Sequence, residues 1–340
     1  MKDVIEFIRP LAIANKPFAL ATVLKTWGSS PRKVGAHMVI SGDGTFAGSV
    51  SGGCVEGDVA RRAVDVLAST QSSMVQYGVT DEDAWTVGLS CGGKIDVHIQ
   101  PFFTGHSHEH DLYFWKTIFQ YLDQHIPAVV FYNISNDQID RIVLTEASAS
   151  DDWRLQPLQK AIAERRHLSI EHNHQRYFLE VLAPPSRLIL FGASHIAADL
   201  VHFAAQLNFQ TIVVDPRGFF TEGTNFKTDP DQLYREWPAD ILPKLQLDQF
   251  TYSVTLTHDP KIDDQALHLL LRSDVAYIGA LGSRRTHEKR KLRLLEAGFT
   301  DDEIARIHGP VGINIKAQTA QEIALSIISQ MIEKKNQFIS

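Results

Sequence analysis

The chain's two cysteines both stand in glycine-rich stretches, Ser51-Gly52-Gly53-Cys54-Val55-Glu56 and Leu89-Ser90-Cys91-Gly92-Gly93. A cysteine used for packing usually sits in an apolar run, where it acts as a small hydrophobe. Here each thiol is flanked by residues that let backbone approach a ligand closely. Val59, Ala63 and Val66 are spaced for one face of a helix that starts just after the first stretch, while Arg61, Arg62 and Asp65 fall elsewhere on the wheel. A thiol at a helix N-terminus is acidified, so Cys54 is a candidate reactive thiolate. The competing reading is two small residues in tight turns.

The elements that must carry these loops divide near residue 183. Residues 3–15 have a helical pattern, and apolar strand-like runs follow at 18–24, 34–40 and 46–50, separated by turn residues. Residues 94–99 alternate strictly, with one apolar face. A helix is expected over 111–125, strands over 128–132, 141–145 and 177–182, and a helix over 151–166. Short strands mixed with helices predict an α+β first domain, residues 1–182. Ala183-Pro184-Pro185-Ser186 is a stiff junction, because consecutive prolines cannot continue a sheet ladder.

The second domain, residues 183–340, opens on a buried-strand pattern, Arg187-Leu188-Ile189-Leu190-Phe191, followed by Gly192-Ala193-Ser194-His195-Ile196-Ala197. A helical stretch then leads to Thr211-Ile212-Val213-Val214-Asp215. This outlines a nucleotide-binding βαβ unit, with Asp215 where an acid meets a ribose hydroxyl. The loop departs from the pattern at Ser194, which replaces a glycine where backbone approaches a pyrophosphate. A Rossmann-like parallel sheet is expected, with Gly192, Ser194, His195 and Asp215 as candidate nucleotide contacts. Two later segments join the same sheet edge. The run 253–259 ends in His258 and Asp259, which serve equally as polar groups of a crevice or as a helix cap. Residues 276–286 read as a strand passing through Gly282 and Ser283 into a helix that starts with Arg284 and Arg285. Cations at a helix start oppose its dipole, which favours an anion as their partner.

Composition narrows the class. With 340 residues the chain suits two domains, and 44% hydrophobic and 21% charged residues are those of a globular protein. A net charge of −7 with scattered Lys and Arg argues against a nucleic-acid surface. No apolar run is long enough to span a bilayer, and Met1-Lys2-Asp3-Val4-Ile5-Glu6 lacks a signal-peptide core. Two cysteines in so long a chain make a disulfide framework implausible. A cytoplasmic, homo-oligomeric protein is expected.

Gly28-Ser29-Ser30-Pro31-Arg32, the two cysteine stretches, the Gly192 loop with Asp215-Pro216-Arg217, Tyr277-Ile278-Gly279-Ala280-Leu281-Gly282-Ser283 and Gly309-Pro310-Val311-Gly312-Ile313-Asn314 together resemble the XdhC/CoxI family. Its members are accessory proteins for xanthine dehydrogenase and related molybdenum hydroxylases. The resemblance implies a chaperone that binds the molybdenum cofactor (molybdopterin), aids its sulfuration by a cysteine desulfurase and protects it until insertion into the apoenzyme. Within it, Cys54 and Cys91 are the candidates for holding the soft metal or relaying sulfur. Gly52, Gly53, Gly92 and Gly93 would offer backbone N–H groups to the pterin or its phosphate, and Arg32 would pair with that phosphate. In the second domain Gly192, Ser194, His195, Asp215, Arg217, Gly282, Ser283, Arg284 and Arg285 are candidate contacts for the cofactor or a nucleotide. His106-Ser107-His108-Glu109-His110 is a second, compositional metal candidate. An NAD(P)-dependent oxidoreductase and a thiol and nucleotide redox-sensing module are the alternatives. No acid–base constellation marks an active site for the first of these.

Overall fold

A computed structural model describes the chain apart from residues 2, 29, 79–92, 106, 136–139, 150–151, 219–225 and 338–340. It divides into two units, Met1–Ala183 and Pro184–Ser340.

The first unit holds two antiparallel sheets. One comprises β1 (Phe18–Trp27), β2 (His37–Ser41), β3 (Phe46–Gly48), β4 (Ser73–Tyr77) and β5 (Lys94–Phe102), in the order β3-β2-β1-β5-β4. The other comprises β6 (Ala128–Asn133), β7 (Arg141–Leu144), β8 (Leu168–His172) and β9 (Gln175–Leu182), in the order β7-β6-β9-β8. Helices α1 (Ile5–Ile13), α2 (Glu56–Ser69), α3 (His108–Asp123) and α4 (Leu155–Glu164) pack on them.

Alternation along β1 explains the layering. Phe18 and Leu20 face a core shared with Ile8, Trp115, Phe119, Val130 and Phe178, which buries α1 and α3 against both sheets. The intervening Ala19, Ala21 and Val23 face the opposite way, onto Val59, Ala63 and Val66 of α2. Small β1 side chains let that helix lie close to the strand. A bulge between Val23 and Lys25 shifts the register near the end of β1, so that Trp27 pairs with Lys94.

The second unit is a six-stranded parallel sheet of β10 (Arg187–Phe191), β11 (Gln210–Val214), β12 (Gln232–Tyr234), β13 (Thr251–Thr255), β14 (Tyr277–Ala280) and β15 (Ile307–His308), in the order β12-β11-β10-β13-β14-β15. The reversal beside β10 is the Rossmann switch point. Leu188, Leu190 and Val254 bury one face beneath α5 (His195–Gln206) and α8 (Ala320–Gln337). Ile189, Phe191 and Ile278 bury the other beneath α6 (Pro260–Leu271) and Leu294 of α7 (Arg284–Glu296). Such double burial is why these strands read as continuous apolar runs.

The α+β and Rossmann-like expectations agree with this architecture. Alternation and helical spacing do not reveal β4, β8, β12, β15 or α8. All four of those strands are short or half-exposed edge strands whose hydrophobic pattern is weak.

Candidate functional site

The loop that carries Cys54 is built around one carboxylate. Glu56, the first residue of α2, folds back and accepts six hydrogen bonds from the chain that precedes it. The Ser49 and Ser51 hydroxyls each donate at 2.6 Å. The backbone N–H groups of Val50, Ser51, Gly53 and Val55 donate at 2.9–3.2 Å. Partial burial would raise its pKa, but the serine hydroxyls and the Ser51 N–H outweigh that and hold it down at about 2. Fully buried Ser51 accepts from the N–H groups of Cys54 and Val55, and Ser49 accepts from that of Gly52.

Every amide from Val50 to Val55 therefore has a partner inside the loop. The N–H groups of Gly52 and Gly53, expected to face a ligand, turn inward because Glu56 and Ser49 fill that position first. What the glycines supply is conformation. Their φ angles are +81° and +116°, and a β-carbon on Gly53 would meet nothing within 4 Å, so that residue presents an open face beside the thiol. Half-buried Cys54 packs one side against the α2 core. A polar-saturated loop thus carries a half-buried thiol beside bare backbone. Its chemistry is that of a soft ligand or a nucleophile, not of an amide nest.

Pro31 and Arg32 lie against this loop. A β-carbon on Gly52 would meet Pro31 at 3.4 Å. Arg32 donates from Nε to the Ser49 carbonyl at 2.9 Å and from Nη2 to Asp3 at 2.8 Å, which ties the loop down and leaves Nη1 for a further acceptor.

Cys91 and Gly92 lie outside the described residues. The ends of the chain around them are fixed at one end of the first sheet. Tyr77 closes β4 and pairs with Ile95, and buried Gly93 precedes Lys94, the partner of Trp27. The start of α2 is joined to the same place. Asp58, in its first turn, accepts from the Tyr77 hydroxyl at 2.8 Å and from Arg62 Nε at 2.7 Å. Ser51, which organises the Cys54 loop with Glu56, and the Asp58–Tyr77 bond were not singled out from sequence, and Glu56, noticeable there as a proton carrier or a first-turn acid, had no assigned role. A serine followed by an acid around a helix start was the available signal.

Among the described residues no cluster of His, Cys, Asp and Glu forms a metal site. His106 is outside them, and His108 and His110 open α3 instead.

In the second unit Gly192 has φ +111°, and a β-carbon there would stand 2.8 Å from Thr257 Cγ2, so this crossing of the β10 and β13 ends admits only glycine. Ser194 caps α5 by accepting from Ala197 N at 3.3 Å, with His195 exposed beside it. Asp215 has no exposed surface and receives four bonds: from Ala193 N at 2.8 Å, and from Arg217 N at 3.0 Å, Nε at 2.9 Å and Nη2 at 2.9 Å. Burial would raise its pKa, but Arg217 and these N–H groups keep it below the ordinary carboxylate range. A carboxylate offers about four lone-pair sites, so none is left for a ribose hydroxyl while Arg217 stays in place. Gly282, at φ +140°, leads into Ser283, which caps α7 by accepting from Thr286 N at 3.1 Å. Arg284 and Arg285 are exposed in the turn that follows. Asp259 is the α6 cap, accepting from Lys261 N at 2.9 Å.

Residues 188–331 match the XdhC Rossmann domain, and residues 11–78 match the XdhC and CoxI family. The chain is 30% identical over 320 residues to a Bacillus subtilis (strain 168) protein named as a probable subunit of xanthine dehydrogenase, covering 93% of this chain and 92% of that one. It is 25% identical over 331 residues to the molybdenum cofactor insertion chaperone PaoD of Escherichia coli (strain K12), covering 97% and 87%. A crystal structure from Bacillus halodurans, described as a xanthine dehydrogenase, superposes with a TM-score of 0.71 at 29% identity, covering 98% of this chain and 96% of that one.

Proposed function

The chain belongs to the XdhC and CoxI family, and on that premise we propose that it is a molybdenum cofactor chaperone serving a xanthine dehydrogenase-type hydroxylase. It receives the cofactor as cargo, assists its sulfuration by a cysteine desulfurase and passes it to the apoenzyme. The observation that carries this reading is the Cys54 loop: six saturated amides, an open glycine face and a half-buried thiol beside it. Molybdenum in a dithiolene centre is soft, and thiolate is the soft ligand among the side chains. Cys54 and Cys91 hold the metal or carry sulfur to it. Gly52, Gly53, Gly92 and Gly93 allow the flat pterin close to backbone, and Arg32 Nη1 meets its phosphate.

In the second unit Gly192, Ser194, His195, Gly282, Ser283, Arg284 and Arg285 face a phosphorylated ligand such as a nucleotide. Asp215 and Arg217 act by fixing the Gly192 loop. An oxidoreductase reading loses ground for the same reason, because the ribose-binding acid is occupied by its own arginine. Among the described residues no helix is long and apolar enough to cross a membrane. The proposed setting is the cytoplasm, as a homo-oligomer.

Anaerobic incubation of the full chain with molybdenum cofactor, followed by gel filtration and pterin fluorescence, tests the reading. The parent protein carries cofactor through the column and Cys54→Ser does not. Equal retention by the two, with equal activation of the client hydroxylase, would remove Cys54 from the mechanism.

A further inference from the structure

Helix α7 places Arg285, Lys289 and Arg293 one turn apart on a single face. Like charges at this spacing repel, and no acid occupies the first turn to offset the cations there. The face borders a recess of about 500 Å³ between the starts of α6 and α7, completed by His258, Asp263 and Arg290.

The charges in this recess do not balance. Arg293 is used up by a two-pronged pair with Asp264, at 2.6 and 2.9 Å. Asp263 accepts from Thr257 Oγ1 at 2.6 Å and stands 3.8 Å from Arg290 Nη2, beyond hydrogen-bond reach. Arg285 and Lys289 enter no ion pair among the described residues. Four cations against the carboxylates of Asp259, which caps α6, Asp263 and Asp264 leave one positive charge.

Arg290 supplies the second, independent observation. It is 2% exposed, yet of its three guanidinium nitrogens only Nη2 is bonded, to the Leu281 carbonyl at 2.9 Å. Nε and Nη1 have no partner. A buried guanidinium with two idle donors is costly unless an acceptor arrives. The Gly192 loop differs in this respect, since Ala193 N and the Arg217 fork are already satisfied by Asp215.

We propose that this recess binds the phosphate group of a phosphorylated small molecule, with the Arg290 guanidinium at its inner wall and Arg285 and Lys289 on the outer oxygens. Planar guanidinium and point-charge ammonium together suit a tetrahedral dianion, and the two helix starts add their dipoles. Burial pushes the Asp263 carboxyl up, which lessens its opposition to an anion. The proposal rests on the reading of the second unit as a binder of a phosphorylated ligand and is independent of the thiol loop, because it concerns side chains of the second unit alone.

Calorimetric titration of the full chain with inorganic pyrophosphate and with ADP, at low ionic strength, tests it. Both probes are expected to bind. Lys289→Gln and Arg285→Gln should each weaken binding about tenfold, the loss of one charge-assisted contact. Arg290→Lys should weaken it further by removing the guanidinium, with circular dichroism to verify folding. If that variant does not fold, the two surface substitutions decide the matter. Lys291→Gln, on the same helix but outside the recess, should bind as the parent does. Tighter binding of ADP would assign the phosphate to a nucleotide, and equal binding would assign recognition to the phosphate alone. Cys54→Ser should bind pyrophosphate normally, which separates this site from the thiol loop. No heat with either probe, or undiminished binding by the Arg285→Gln/Lys289→Gln double variant, would overturn the proposal.

Discussion

Arg217 grips Asp215 two positions before it, with Nε 2.9 Å from one carboxylate oxygen and Nη2 2.9 Å from the other. The pair closes the acid that ends β11 and, through Ala193 N, fixes the start of the Gly192 loop. In a dinucleotide-binding Rossmann unit that acid would be open to a ribose. Here its contribution is to architecture.

Arg217→Ala should therefore destabilise the second unit by about 2–3 kcal/mol, since it strips a buried carboxylate of charge-assisted bonds. The folded-state pKa of Asp215 lies below its unfolded value. Its stabilisation is thus present above the unfolded carboxylate pKa, near 4, and is lost as pH falls through the folded value. Thermal melts of parent and variant should differ most near neutrality and converge in acid. A gap that stays constant with pH would mean that the pairing is not its source.

Glu56→Gln tests the Cys54 loop in the same way. An amide keeps one acceptor oxygen where six donors need two, so about 1–2 kcal/mol of loop stability should go, and the Gly53 and Val55 amides should exchange faster with solvent. In the parent protein, a folded pKa of about 2 means that this stabilisation is complete above about pH 4.5 and fades toward pH 2. Hydrogen exchange that is equally slow in the variant would show that Glu56 does not hold the loop.

Two glycines separate conformational strain from crowding. Gly53→Ala meets open space, so its cost is that of an alanine at φ +116°, about 1–3 kcal/mol. Gly192→Ala adds a contact at 2.8 Å with Thr257 Cγ2 to a similar φ of +111° and should cost more. Thr257→Ser should recover part of the difference at Gly192 and none at Gly53. Denaturant midpoints for the four variants would decide it, and equal costs at both positions would contradict the crowding argument.

The fold was legible where a strand is buried on both faces or an alternation is long. Ile189 and Leu190 point to opposite cores of one parallel sheet, and Phe18–Leu20 to opposite layers of the first unit. The Rossmann-like parallel sheet was expected from the βαβ spacing, whereas its strand order comes from the structure. Edge strands such as Gln232–Tyr234 bury too little to leave a pattern. At the sites, residue types were legible but their partners were not. Glycine beside Cys54 signals positive φ, whereas the destination of its N–H depends on Glu56 folding back three positions later. Asp215 was placed correctly at the end of its strand, but pattern rules hold no term for an arginine two residues on that takes the acid for itself. Arg290 escaped notice because an arginine inside a basic helix looks solvated until burial is known.

Asp58 and Tyr77 tie the first turn of α2, which follows Cys54, to the end of β4, which suggests a variant that leaves both thiols intact. The Tyr77 hydroxyl bonds Asp58 where β4 ends, next to the chain that leads to Cys91, and Asp58 lies in the first turn of the helix that follows Cys54. Tyr77→Phe removes this one buried bond to a carboxylate and should cost about 1.5–3 kcal/mol. Arg62→Gln also removes a partner of Asp58, but Arg62 is a surface residue, 43% exposed, and its loss should cost under about 1 kcal/mol. If Cys54 and Cys91 act on one ligand, Tyr77→Phe should lower cofactor retention after gel filtration while Arg62→Gln leaves it near the parent level. A folded Tyr77→Phe protein that retains cofactor fully would show that the two stretches do not depend on this bond to act together.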